Sequence, residues 1–153
     1  MSKKQRDIEL FIVDIFVAIK KASEYIKDFD DKEEFRQDSL HWDATIRQLE
    51  IIGEALNKLL EDESFSKLSP KYFRKVVNFR NIITHGYFGI DIDEVWNVLT
   101  LKLDMLNDDL KDIVQDNINL SIAIKSEIHE YEKLNDKAIV NFLKSIDTKQ
   151  EIK

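Results

Sequence analysis

Between Ile8 and Ile26 apolar side chains return at intervals of three and four: Ile8, Phe11, Ile12, Ile15, Phe16, Ile19, Ala22, Tyr25 and Ile26. That spacing makes one stripe on a helix, whereas a strand would need alternation with a period of two. The rhythm returns at Trp42, Ile46, Leu49, Ile52, Leu56 and Leu59, and again from Val95 and Trp96 through Leu99, Leu103, Leu106 and Leu110 to Ile113. Three Gly and one Pro in 153 residues leave too few turn residues for a sheet protein. The chain is therefore expected to be all-α, an up-and-down bundle of four to five helices over residues 1–116 with a C-terminal helical extension over residues 117–153.

Local signals place the helix ends. A first helix is expected from about Arg6 to Lys27, a short helical turn around Phe35, and a second long helix from about Ser39 to Leu60. Within the latter, Gly53 costs roughly 1 kcal/mol relative to Ala, so a close crossing with another helix is expected there. Ser69-Pro70 reads as the cap and first turn of the next helix, which runs to Thr84 or His85 and turns Phe73, Val76, Val77 and Ile83 inward until Gly86 stops it. Asp91 with Glu94 resembles a reciprocal capping pair opening a helix that continues to about Val114. Spaced apolar residues from Ile122 to Leu143 predict one or two more helices, fraying after Ile146.

The absence of Cys removes disulfides, thiolate metal sites and cysteine nucleophiles, and suits a reducing compartment. Asp7, Glu9 and Asp14 interrupt the apolar run that a secretory signal would need, so the expected location is cytoplasmic, with no membrane partner. Net charge is −7, but the sign is uneven. From Ser64 to Ile90 there is no Asp or Glu, while Lys67, Lys71, Arg74, Lys75 and Arg80 give +5; the remaining 18 basic and 30 acidic residues give −12. One basic segment in an acidic chain is either a local phosphate site or the solvated face of an amphipathic helix. On the first reading Lys71, Arg74 and Lys75 are candidates for RNA phosphate contacts.

The chemistry-bearing stretch is Arg80-Asn81-Ile82-Ile83-Thr84-His85-Gly86-Tyr87. Arg80 offers a fixed fork of donors for a phosphate. His85 titrates near neutrality and can take a proton from a ribose 2′-hydroxyl or give one to a departing 5′-oxygen. Asn81 can orient His85 or bond a phosphate oxygen, and Tyr87 adds a hydroxyl just beyond. At about 100° per residue Asn81 and His85 share a side, but Arg80 and His85 stand about 140° apart. Bringing them together needs a long arm on Arg80, a loosened last turn at His85, or a second copy of the segment from a symmetric partner. By spacing alone, His85 could equally be a dipole-stabilising residue at a helix C-terminus.

Arg80 through Tyr87 resembles the R-x4-H-x-Y signature of the HepT toxins in the HEPN superfamily. Leu49-Glu50-Ile51-Ile52-Gly53-Glu54-Ala55-Leu56 and Gly89-Ile90-Asp91-Ile92-Asp93-Glu94-Val95-Trp96 agree with the flanking segments, and the likeness spans about Arg6 to Ile113. The resemblance implies a dimeric bundle with its two motifs facing across a cleft. It implies a metal-independent endoribonuclease without cofactor, acting as the toxin of a type II-like toxin–antitoxin pair beside a minimal nucleotidyltransferase antitoxin. It implies catalytic roles for Arg80 and His85, a supporting one for Asn81, and substrate positioning or AMP acceptance from the antitoxin for Tyr87. A non-catalytic helical partner or substrate of such a transferase is the alternative reading, and a purely structural dimer a third.

Other candidates are weaker. His41 with Asp38 is a capping or surface pair before it is a metal site, because no third ligand has suitable spacing. His129 lies among Glu127, Glu130 and Glu132 on a polar tail. Asp91, Asp93 and Glu94 are explained by helix capping. Glu54 either meets Arg80 from a neighbouring helix or faces solvent.

Overall fold

The computed structural model describes residues 2–85 and 89–151, with side chains described through Asp147. Helices follow in the order α1 (Lys3–Ile26), α2 (Lys32–Gln37), α3 (Ser39–Leu60), α4 (Glu63–Leu68), α5 (Tyr72–His85), α6 (Ile92–Asn97), a π-helical turn (Val98–Lys102), α7 (Leu103–Asn117), α8 (Ser121–Lys133) and α9 (Lys137–Glu151). No strand occurs among the described residues. The fold is all-α, as the periodicity requires.

Short acidic or hydroxyl side chains fix most of the helix starts. Ser2 accepts from the Gln5 amide at 3.2 Å, Asp38 from His41 at 3.1 Å, Asp62 from Phe65 at 2.9 Å, Asp91 from Asp93 at 2.9 Å and Asp136 from Ile139 at 3.1 Å. Each satisfies an amide that the helix itself leaves unbonded, for about 1 kcal/mol. At the α8–α9 corner Asn135 takes a φ of 56°, the left-handed region usually given to Gly. The Asn135 and Asp136 amides donate to the carbonyls of Glu132 and Tyr131, both at 3.1 Å, closing α8 in a Schellman turn. A Gly-poor chain thus makes this corner with a residue that tolerates the geometry better than most after Gly.

The frame is α1 laid along α3, with α5 crossing α3 on another side. Ile12, Ile15, Ala22, Leu56, Leu59 and Phe73 are fully buried, in one core continuous with Leu106, Leu110, Ile124 and Leu143. Phe35 of α2 sits in that core with ring centroids 5.3 Å from Trp42 and 5.7 Å from Trp96, and Lys32 pairs with Asp93 above it. Helices α8 and α9 pack on each other, and α8 also packs on α1, where Lys21 Nζ donates to the Tyr131 hydroxyl at 3.1 Å.

Two boundaries differ from expectation. Ser69 does not cap α5. A separate helix, α4, is initiated by Asp62, and Ser69 closes it, its amide donating to the Ser66 carbonyl and its hydroxyl to the Phe65 carbonyl. The next helix therefore starts at Tyr72 instead of Pro70. The helix opened by Asp91 is also not uniform: at Val98–Lys102 the ladder widens, the Leu103 amide reaching back five residues to Val98 while Thr100 Oγ1 donates to the Trp96 carbonyl at 2.7 Å. Back-bonding of this kind loosens the regular ladder. The expected stop at Gly86 lies outside the described residues.

Leu56 is fully buried in the C-terminal part of α3. Leu56→Ala is expected to lower stability by about 2–5 kcal/mol through lost burial and a residual cavity, read as a reduced urea midpoint with an unchanged slope.

Candidate active site

Helix α5 presents two faces. Phe73, Val77, Phe79 and Ile83 are buried, whereas Lys71, Arg74, Lys75, Asn78, Asn81, Ile82 and His85 are exposed. At about 100° per residue those exposed positions fall within an arc of about 120°. Arg80 lies outside that arc, on the flank beside α3, and its route to the motif depends on Gly53. A Cβ at residue 53 would collide with Arg80 Cβ and stand 2.5 Å from its Cγ. The Arg80 stem therefore occupies the notch left by the missing side chain, where the two helices cross. Its Nε is buried with no hydrogen-bond partner among the described residues.

Past the notch the guanidinium fork opens. One terminal nitrogen donates to Asn81 Oδ1 at 2.8 Å and the other to Glu54 Oε1 at 3.0 Å. The Arg80 side chain keeps 27% of its surface exposed and Glu54 53%, so the fork is held at the edge of solvent. Asn81 lies one turn before His85 on the same side of α5. By this arm Arg80 reaches Asn81, which shares a side of α5 with His85. His85 is the last residue of α5 and is exposed. Tyr87 lies outside the described residues.

Arg80 also lines a cleft of about 410 Å³ shared with Phe11 and Asp14 of α1 and Ile51, Glu54, Ala55, Asn57 and Lys58 of α3. Burial pushes the Asp14 carboxyl up to about 6, with the charge of Glu127 on α8 adding to the rise. Burial also raises Glu127, reinforced by Glu130 and opposed by Lys21. The cleft wall thus holds one carboxyl, Asp14, reluctant to ionise, and a guanidinium that is always charged.

The remaining candidates divide clearly. Glu54, for which two orientations were open, meets Arg80. His41 Nδ1 lies 2.9 Å from Asp38 Oδ1 in a capping pair, His129 is exposed, and no cluster of potential metal ligands occurs among the described residues. Lys71, just before α5, and Arg74 and Lys75 on it are all exposed. Asp14 carried no sequence signal as a cleft residue, since it reads as one polar interruption of an apolar helix. The notch at Gly53 was legible as a close crossing, but the side chain filling it was not.

The profile described as "Ribonuclease HepT-like" matches residues 15–115. The chain belongs to this HepT-like family of the HEPN superfamily. A protein of Methanocaldococcus jannaschii, provisionally named as an RNase, is 35% identical over 99 residues, covering 65% of this chain and 87% of its own. A Thermococcus cleftensis protein named "Probable ribonuclease HepT" is 33% identical over 106 residues, covering 69% and 89%. No solved structure gives a significant match. No helix among the described residues is long and apolar enough to cross a membrane.

Two outcomes follow from the notch and the cleft. Gly53→Ala should force α3 and α5 apart at the rigid stem of Arg80, costing about 1–3 kcal/mol by overpacking and lowering the thermal midpoint. For Asp14 the folded pKa of about 6 lies above its ordinary 3.8. Its contribution to stability is therefore complete below about pH 4 and is lost as pH rises through 6. Asp14→Asn should unfold later than wild type at pH 7.5, by on the order of 1–2 kcal/mol after solvent screening, and the advantage should vanish in denaturation curves at pH 4.

Proposed function

We propose that the chain is the toxin of a type II-like toxin–antitoxin pair, an endoribonuclease that cleaves RNA through Arg80, Asn81 and His85 without a metal. The observation carrying this reading is the Arg80 fork, steered through the Gly53 notch and opening beside Asn81 one turn before an exposed His85. A guanidinium so held suits two oxygens of a phosphodiester, and it stabilises the charge that builds on them as phosphorus becomes five-coordinate. The ribose 2′-oxygen attacks phosphorus while its proton passes to a base, and the bond to the 5′-oxygen breaks as that oxygen gains a proton. The products are a 2′,3′-cyclic phosphate and a free 5′-hydroxyl. His85 is the group able to serve as base or acid near neutrality. The attacking group belongs to the substrate, so the chemistry does not require a metal-activated water. Asn81 steadies the fork, and Glu54 holds it until a phosphate takes its place.

Family membership supports the remaining parts of the proposal. A homodimer would bring two copies of α5 to one cleft, and Ile82, half exposed beside His85 on the outer arc, suits burial against a second copy. A minimal nucleotidyltransferase would serve as antitoxin in the cytoplasm, with Tyr87 as acceptor of AMP. Added phosphates beside Arg80 would block RNA by charge and by volume. On this reading residues 1–116 are the catalytic bundle and residues 117–153 an appended helical hairpin.

Incubation of the pure protein with total cellular RNA in chelator tests the proposal. Wild type should cut, leaving cyclic phosphate ends. His85→Ala and Arg80→Ala should each lose about 10²–10⁴-fold in rate while circular dichroism retains the helical signal. Cutting at the wild-type rate by either folded variant would remove the assignment, and no cutting by wild type would favour a non-catalytic partner of the transferase.

A further inference from the structure

A second concave surface lies at the other end of α5. The end of α4 and the start of α5 enclose a notch of about 370 Å³ lined by Leu60, Ser66, Ser69, Pro70, Lys71 and Arg74. Its charge is uncompensated. Among the described residues no carboxylate lies within ion-pair distance of Lys71 or Arg74, whereas neighbouring Lys67 is paired with Glu63 at 3.2 Å. Arg74 is steadied instead by a neutral group, Asn57 Oδ1 at 3.4 Å, which leaves its charge intact. This lies within the acid-free stretch of an otherwise acidic chain.

We propose that this notch is a phosphate-binding subsite for the same RNA strand that is cut at Arg80, holding a phosphodiester several nucleotides from the scissile one. The inference rests on the ribonuclease reading for the identity of the strand, but its binding test does not require cleavage. Geometry sets the spacing. Lys71, just before α5, and Asn81, which holds the Arg80 fork on the exposed arc, are ten positions apart, about 15 Å along the helix axis at 1.5 Å per residue. A stacked strand carries a phosphate about every 3.4 Å along its axis, so the two sites are about four nucleotides apart. Between them the exposed arc of α5 offers Lys75 and Asn78, neither of which repels a phosphate. A free mononucleotide could fill either site but could not bridge both, and a duplex would present its phosphates on a stiffer and wider body. The fitting ligand is a single strand at least four or five nucleotides long.

The test measures binding of fluorescently labelled 2′-O-methyl RNA, which lacks the attacking hydroxyl, at lengths of two, four, six and eight nucleotides. Wild-type affinity should step upward between about two and six nucleotides and then level off. Lys71→Ala/Arg74→Ala changes two exposed side chains and should remove most of that step, about tenfold in affinity. It should also reduce the slope of log affinity against log salt by about 1.4, at about 0.7 per lost contact. The charge-matched control Lys111→Ala/Lys125→Ala, on exposed positions of α7 and α8, should keep both the step and the slope. Wild-type affinity and slope in Lys71→Ala/Arg74→Ala would overturn the proposal, and so would an equal loss in the control. Unchanged RNA binding with weakened capture of a nucleotidyltransferase would assign the notch to a protein partner and overturn it too. A length step that depends on Lys71 and Arg74 in a protein that cuts no RNA would keep the subsite and remove the nuclease. Cleavage without that step would do the reverse.

Discussion

The crossing of α3 and α5 at Gly53 governs both the packing and the site. Helix axes approach closely where one partner has no side chain, and here the vacated volume holds the stem of Arg80 and not a neighbouring backbone. Burying that stem removes apolar methylenes from water and restricts an arm that would otherwise sample many rotamers. The entropy of ordering it is met in folding, before any phosphate arrives. The charged end remains at the solvent edge, where Glu54 and Asn81 satisfy its terminal nitrogens. A glycine that weakens its own helix by roughly 1 kcal/mol thereby positions the guanidinium of Arg80.

Much of the architecture was readable because it follows from periodicity and capping. Ile12, Ile15, Ile52 and Leu106 fall where the stripes place them, and Asp91 begins a helix as its position suggests. The departures have physical causes. Ser69 and Pro70 carry a strong helix-start signal, but Asp62 initiates a short helix first, and Ser69 is consumed in ending it. The π-helical turn at Val98–Lys102 has no compositional mark, because the residues around it keep an unbroken apolar rhythm. Extra backbone length of this kind arises from tertiary packing.

The site was legible in type more than in arrangement. Arg80, Asn81 and His85 are named by the motif, but regular helical geometry sets the arginine on a different flank from the histidine. The arginine stem is placed by a contact 27 positions away in sequence, at the bare Cα of Gly53, and its fork reaches Asn81. Asp14 belongs to the same cleft yet gives no local signal, since its environment is built by α3 and by Glu127 on α8. Helices α8 and α9 lie beyond residues 15–115, the span that the family profile matches.

The carboxylate of Glu54 already rests on the arginine fork, so an arriving phosphate exchanges one anion for another. Net attraction is then a small difference between two large terms, and a lone monovalent anion gains little by making the exchange. A polymer that engages neighbouring cations at the same time gains at every contact, while Glu54, half in water, gives way at modest cost. On the ribonuclease reading proposed above, such a seat would discriminate against abundant small ions and release short fragments readily.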